Sequence, residues 1–242
     1  MVVPNIDLRF GSYEDVLPEL AGWGADLVVL DLPYGITSTQ WDREIDLEAL
    51  WALLGPVVAD GGVVCAFAVQ PFAAHLVLSN VDQFRYELIW QKPNGTNPYQ
   101  AKRRPMRNHE NVLVFGGTHY EPQMESGNPY VWDSVRSKGE AANVGGGGRI
   151  ENRGSRYPRS VLAFGQDRGL HPTQKPVGLC RWLIRTYCPT GGRVLDPTMG
   201  SGTTGVAAAS EGRLFLGIEQ NADHYAVAAE RLGTVDKGPV IG

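Results

Sequence analysis

Residues 192–205 read GRVLDPTMGSGTTG. A short aliphatic run, Val194 and Leu195, ends on the acidic Asp196. Pro197 and a turn punctuated by Gly200 and Gly202 follow, and then a stretch carrying Ala207, Ala208 and Ala209. Strand, tight glycine turn and helix in that order is the building unit of open α/β sheets, which bind ligands beyond the carboxyl ends of their strands. No lysine follows Gly202, where Thr203 and Thr204 stand instead, so the turn is not a phosphate-cradling P-loop. Its spacing also departs from the three-glycine dinucleotide fingerprint. Glu219 ends the next apolar run, where a carboxylate can accept both hydroxyl hydrogens of a ribose. A ligand with a ribose and no required diphosphate fits this pattern better than a dinucleotide, against the alternative that the glycines merely make a turn.

A second acidic strand end lies near the start of the chain, in LVVLDLPYG at residues 27–35, and a third block, HPTQKP at residues 171–176, stands between the two. Around these blocks, apolar runs predict strands at residues 27–31, 62–69, 84–92, 111–115, 193–196 and 214–219. Helices are predicted at residues 47–58, 177–187, 203–211 and 225–232, the last stopped by Gly233. Residues 93–109 are polar, basic and interrupted by proline, which predicts a loop that a bound phosphate backbone would order. Residues 121–159 have the weakest periodicity and include four consecutive glycines at 145–148, which cannot form the interior of a stable element. This region reads either as a solvated excursion or as a small recognition insert that orders on binding.

With 242 residues, 43% of them hydrophobic and 20% charged, the chain suits one soluble α/β core with room for a small insert. The net charge of −4 speaks against a broadly basic coat, yet a basic cleft on an acidic body can still attract a polyanion. Cys65, Cys180 and Cys188 lack metal-ligand spacing and read as reduced thiols, Cys65 as a core residue. His109-Glu110 lacks a third ligand at helical spacing, so no metal is expected. No long apolar segment or secretory leader is evident, which leads to an expectation of a cytoplasmic protein without a membrane partner.

These blocks together resemble the DNA amino-methyltransferases of the permuted class, in which the catalytic motif precedes the cofactor motif, and among them the small phage or prophage adenine-specific enzymes. The resemblance rests on DLPYG at 31–35 with Trp41-Asp42 downstream, KRRPMRNHE at 102–110 leading into VLVF at 112–115, and RYPRSVL at 156–162. HPTQKP at 171–176, residues 196–205 and GIE at 217–219 complete it. It implies one mixed, mostly parallel, seven-stranded sheet flanked by helices over residues 1–242, with an inserted target-recognition region at 121–157. It also implies S-adenosyl-L-methionine as cofactor and double-stranded DNA as partner, with the protein a monomer or homodimer.

Carried over by position, the resemblance makes Asp196, Pro197, Thr198, Gly200, Ser201, Gly202, Thr203 and Thr204 the turn around the methionine part of the cofactor, and Glu219 the ribose ligand. Thr173, Gln174 and Lys175 close over the amino-acid end, with Asp31 bordering the same site. Ser12 stands where relatives often carry the Asp that contacts the cofactor adenine, and Met199 where they often carry Phe. The resemblance also assigns catalysis to the Asp31 side chain and the carbonyl of Leu32, which accept hydrogen bonds from an exocyclic amine. Such an amine is a poor nucleophile, and two acceptors favour the tetrahedral nitrogen that in-line attack needs. Pro33 stiffens the turn and Tyr34 stacks on a base extruded from the duplex. Lys102, Arg103, Arg104 and Arg107 suit phosphate contacts, and Arg149, Arg153 and Arg156 suit base edges, with a solvated surface as the alternative for both groups. Adenine N6 is the expected target. Cytosine N4, an RNA base, and a DNA-binding protein without turnover are the competing readings.

Overall fold

The computed structural model describes residues 6–33, 45–96, 98–133, 149–167 and 174–233. It divides into two compact units, one of residues 1–121 and 160–242 and a second of residues 122–159. In chain order the first unit contains β1 (Ile6–Phe10), α1 (Tyr13–Val16), β2 (Ala25–Leu30), α2 (Leu47–Leu54), β3 (Val58–Ala68), α3 (Phe72–Ser79), β4 (Phe84–Thr96) and β5 (Arg107–Gly116). The second unit contributes β6 (Glu125–Ser126), β7 (Tyr130–Asp133), β8 (Arg149–Asn152) and β9 (Ser155–Arg156). The first unit then resumes with β10 (Val161–Ala163), α4 (Val177–Tyr187), β11 (Arg193–Asp196), α5 (Thr203–Ser210), β12 (Leu214–Glu219) and α6 (Ala222–Leu232).

One sheet organises the first unit, in the order β1-β12-β11-β2-β3-β5-β4-β10. Only β5 runs against its neighbours, so the sheet is mixed and mostly parallel as expected. It has eight strands rather than seven, because the three-residue β10 adds to the outer edge of β4 through Val161↔Ile89, Leu162↔Trp90 and Ala163↔Gln91. Side chains alternate between two cores. Leu27, Val29, Val63, Cys65, Phe67, Val112 and Val114 pack with α4 and α5, while Val28, Leu30, Val64, Ala66, Leu113 and Phe115 pack with α2 and α3. Burial on both faces explains why these strands read as unbroken apolar runs rather than alternating ones.

Helix limits follow local chemistry. Asp46 caps α2 by accepting from the Ala49 N–H at 3.0 Å, and the helix stops at Leu54, short of the predicted residue 58, because Pro56 has no N–H to continue the helical ladder after Gly55. Asn221 caps α6 through the N–H groups of Asp223 and His224, starting it three residues earlier than periodicity predicts, and Gly233 ends it with φ 67°. The predicted loop at residues 93–109 is strand at its two ends, and its described residues between them are not. β4 continues to Thr96 and β5 begins at Arg107, with the ladder register shifting between Gln91 and Thr96. That irregularity accommodates Pro93, which has no N–H to give to a regular ladder.

Met199 is buried, with its sulfur packed over Gly217 of β12. A Cβ at Gly217 would lie 2.3 Å from the Met199 sulfur and 2.8 Å from the Phe215 ring. Gly217→Ala is therefore expected to lower the unfolding free energy by about 1–3 kcal/mol through overpacking, measured by denaturant titration. An unchanged midpoint would show that the turn at Met199 yields freely.

Candidate active site

The parallel register of β11 on β2, Val194↔Leu27 and Leu195↔Val28, brings the two acidic strand ends to the same edge of the sheet. They are joined directly. The Thr198 hydroxyl donates to the Asp31 carbonyl at 3.3 Å and accepts from the Asp31 N–H at 3.4 Å. Residues 167 positions apart in the chain thus share one side chain.

On the glycine side, the Asp196 carboxylate accepts from the Thr198 N–H at 3.1 Å, and the Met199 N–H donates to the Ile218 carbonyl at 3.0 Å. Gly200 and Gly202 take φ values of 53° and 76°, which favour glycine. A Cβ at Gly202 would press on Ala228 and Leu232 of α6, whereas one at Gly200 would meet nothing within 4 Å. The turn is therefore packed on one side and open on the other. Glu219 spans its mouth, with one oxygen accepting from the Gly200 N–H at 2.9 Å and the other from the Asn221 N–H at 2.7 Å. Arg231 of α6 donates to both the carbonyl and the hydroxyl of Ser201 and reaches the Thr203 hydroxyl, so it braces the turn from behind. Periodicity gave no sign of that role for Arg231. Thr203, Thr204 and Ser201 are all buried.

On the Asp31 side, the Lys175 ammonium donates to both carboxylate oxygens at 2.7 Å. Lys175 also lies 3.5 Å from a Glu110 oxygen and 5.0 Å from the Phe67 ring centroid. Glu110 in turn pairs with Lys92, whose ammonium lies over the Trp90 ring. Burial raises the Glu110 pKa, but the charges of Lys175 and Lys92 outweigh it and hold the group below the usual carboxylate range. Lys92 and Glu110 were not among the predicted site residues. Their pairing follows from the Trp90↔Glu110 register of β4 on β5, and a charged residue opening the apolar run at 111–115 was the available signal.

Leu32 is buried and Pro33 half-buried beside Asp31, while Gln174 has a buried Oε1 without a hydrogen-bond partner. Tyr34, His171 and Thr173 lie outside the described residues. Ser12 caps α1, accepting from the Asp15 N–H at 3.2 Å and donating to the Asp15 carboxylate at 2.8 Å. Lys102, Arg103 and Arg104 are exposed on the β4–β5 connection, and Arg107, half-buried, opens β5. Because Asn111 of β5 pairs with Ala68 at the carboxyl end of β3, this connection extends past the same sheet edge as Asp31. Within the second unit Arg149 and Arg153 are exposed. Arg156 is committed locally, bonded to Asn152 and the Asn128 carbonyl and lying 4.6 Å from the Tyr130 ring centroid. Among the described residues no cluster of three or more His, Cys, Asp or Glu could hold a metal, and no helix is long and apolar enough to cross a membrane.

A family model for N6/N4 methyltransferases, described as DNA methylase, matches residues 25–230. The chain belongs to this DNA methylase family. Among relatives, it is 34% identical over 167 residues to the type II methyltransferase M.XycI of Xanthomonas campestris pv. cyanopsidis, covering 69% of this chain and 47% of the relative. This chain thus spans about half the length of that curated relative. The methylase fold is shared with the crystal structure of the M1.HpyAVI–SAM complex, with a TM-score of 0.68 and 22% identity over 94% of this chain and 100% of that one. It is shared also with the PvuII DNA methyltransferase (cytosine-N4-specific), with a TM-score of 0.66 and 14% identity over 97% and 88%.

The glycine turn carries a titratable group of its own. Burial, with small additions from Asp31 and Glu219, pushes the Asp196 carboxyl up to about 7, against the opposing hydrogen bonds from Thr204 and Thr198. Between its ordinary value of 3.8 and about 7 the folded state holds a proton that the unfolded chain releases. The stability this group contributes is thus complete below the lower value and is lost as pH rises through the upper one. Asp196→Asn is expected to flatten the decline in unfolding free energy across that window, and identical pH slopes in the two proteins would refute the assignment.

Proposed function

We propose that this chain transfers a methyl group from S-adenosyl-L-methionine to the N6 amine of adenine in duplex DNA. The observation that carries the reading is the meeting at one sheet edge, through the Thr198 hydroxyl, of a partly exposed acidic strand end and a glycine turn with an open face.

The residues at that turn fit the cofactor. Each Glu219 oxygen accepts one backbone N–H, and a carboxylate oxygen has two lone-pair directions, which leaves capacity for a pair of ribose hydroxyls. The orphaned Gln174 Oε1 suits a donor such as an α-amino group. The cofactor supplies a methyl group made electrophilic by its sulfonium. Asp31 and the Leu32 carbonyl would accept hydrogen bonds from the target amine, localising its lone pair, stabilising the positive charge that develops on the nitrogen as it takes the methyl group, and leaving its surplus proton to pass to solvent. Tyr34 stacks on the extruded base. Lys102, Arg103, Arg104 and Arg107 grip phosphates at the same edge, and Arg149 and Arg153 read base edges. Arg156 instead holds the second unit together.

The likeness to a SAM complex supports the donor. Adenine is favoured over cytosine because relatives acting on cytosine more often carry Ser in place of Asp31. The fold shared with a cytosine-N4-specific enzyme makes N4 of cytosine the second reading.

Incubation with methyl-labelled S-adenosyl-L-methionine and mixed-sequence duplex DNA, followed by nucleoside mass spectrometry, is expected to put label in N6-methyladenine. Label in N4-methylcytosine would replace the target, and no label with bound cofactor would overturn the reading. Asp31→Ala is expected to abolish transfer while cofactor affinity, measured by calorimetry, stays near wild type. A loss of affinity as large as that of Glu219→Ala would remove Asp31 from its assigned role.

A further inference from the structure

We infer that Glu110 is a positioning residue for methyl transfer, holding the Lys175 ammonium so that this cation orients both Asp31 oxygens. The inference rests on the reading of Asp31 as the acceptor of the target amine.

Four charges alternate in a row: Lys92, Glu110, Lys175 and Asp31. Side-chain exposure is 10%, 12% and 9% for the first three and 31% for Asp31, so the row is closed at its inner end and opens at the carboxylate assigned to the chemistry. Phe67 and Trp90 wall it with rings, which strengthens every charge interaction along it by keeping water away. Lys175 has three N–H donors, and its nitrogen lies within hydrogen-bond distance of both Asp31 oxygens. Glu110 Oε2 is buried, accepts no hydrogen bond, and stands 3.5 Å from the same ammonium. Glu110 is thus the acceptor toward which Lys175 shifts when the target amine takes up an Asp31 oxygen. Removing it takes away one of the two carboxylates that stand within 3.5 Å of the ammonium and leaves Lys92 unbalanced. Lys92 closes the row by balancing Glu110, which keeps the four charges neutral as a set.

A structural role and a positioning role separate experimentally. Glu110→Gln leaves two buried ammonium groups to one carboxylate and is expected to lose both stability and rate. The double variant Lys92→Met/Glu110→Gln restores neutrality, because apolar or neutral replacement of a whole buried pair is commonly tolerated. Three quantities are read for wild type and both variants: the thermal midpoint, the dissociation constant for S-adenosyl-L-methionine, and the single-turnover rate of methyl transfer to duplex DNA. The expected result is a midpoint that recovers in the double variant, an unchanged dissociation constant, and a rate that stays about tenfold or more below wild type in both. A rate that recovers along with the midpoint would overturn the inference, since Glu110 would then act on folding alone. Wild-type transfer matched by Glu110→Gln would overturn it while leaving the methyltransferase reading intact, whereas absence of wild-type transfer would remove both.

Discussion

An ammonium as deeply buried as that of Lys175 must be surrounded by anions, and this requirement ties together the edge of the sheet where the two acidic strand ends meet. Removing a charge from water costs several kcal/mol after relaxation, and only close, well-directed partners offset it. Among the described residues two carboxylates stand at Lys175, Asp31 at the end of β2 and Glu110 on β5. Satisfying them fixes the approach of residues 174–176 to the sheet, the depth of the β4–β5 hairpin and the direction of the chain leaving β2. Thr198 then locks that exit to the glycine turn.

The parts of this arrangement that are local in the chain were legible in the sequence. Residues 193–196, 214–219 and 177–187 coincide with β11, β12 and α4, since each is a short apolar or amphipathic segment between strong breakers. The pairing of Lys92 with Glu110 was not legible, because 18 residues separate them and their meeting depends on a register that shifts at Pro93. The same proline made residues 93–109 read as a loop. β1 and α3 escaped because one is a five-residue strand rich in charge and the other has hydrophobic residues nearly all round. Glu219 was found as a strand-end acid, but its two backbone bonds, which place it across the turn, come from residues on either side of that strand end and have no sequence pattern.

The second unit was opaque for a different reason. Its two ladders, β6 with β9 and β7 with β8, are two to four residues long, and Tyr130, Val131, Trp132 and Ile150 are all exposed. Period-two patterning arises from one buried face, and a hairpin wet on both faces has no reason to show it. Among its described residues the specific contacts centre on one guanidinium. The Arg156 guanidinium bonds to Asn152 and to the Asn128 carbonyl beneath the Tyr130 ring. A cation used this way is no longer available for a base edge, which a count of arginines cannot reveal.

Ion pairs elsewhere in the molecule show that proximity alone does not decide a charge's role. Glu211 is held by Arg181 and Arg185, and their hydrogen bonds draw its carboxyl down to about 2. Both arginines are 42% exposed, so water screens the pairs and little stability follows from either. The Lys175 row has the same residue types and comparable distances but is walled by rings and strands. There an unbalanced charge has no solvent to relax into, and each group is held in direction as well as in place. A surface pair tolerates rotation of either partner, whereas a buried row transmits a displacement at Glu110 to the oxygens of Asp31. Burial makes the row sensitive at its closed end and useful at its open one.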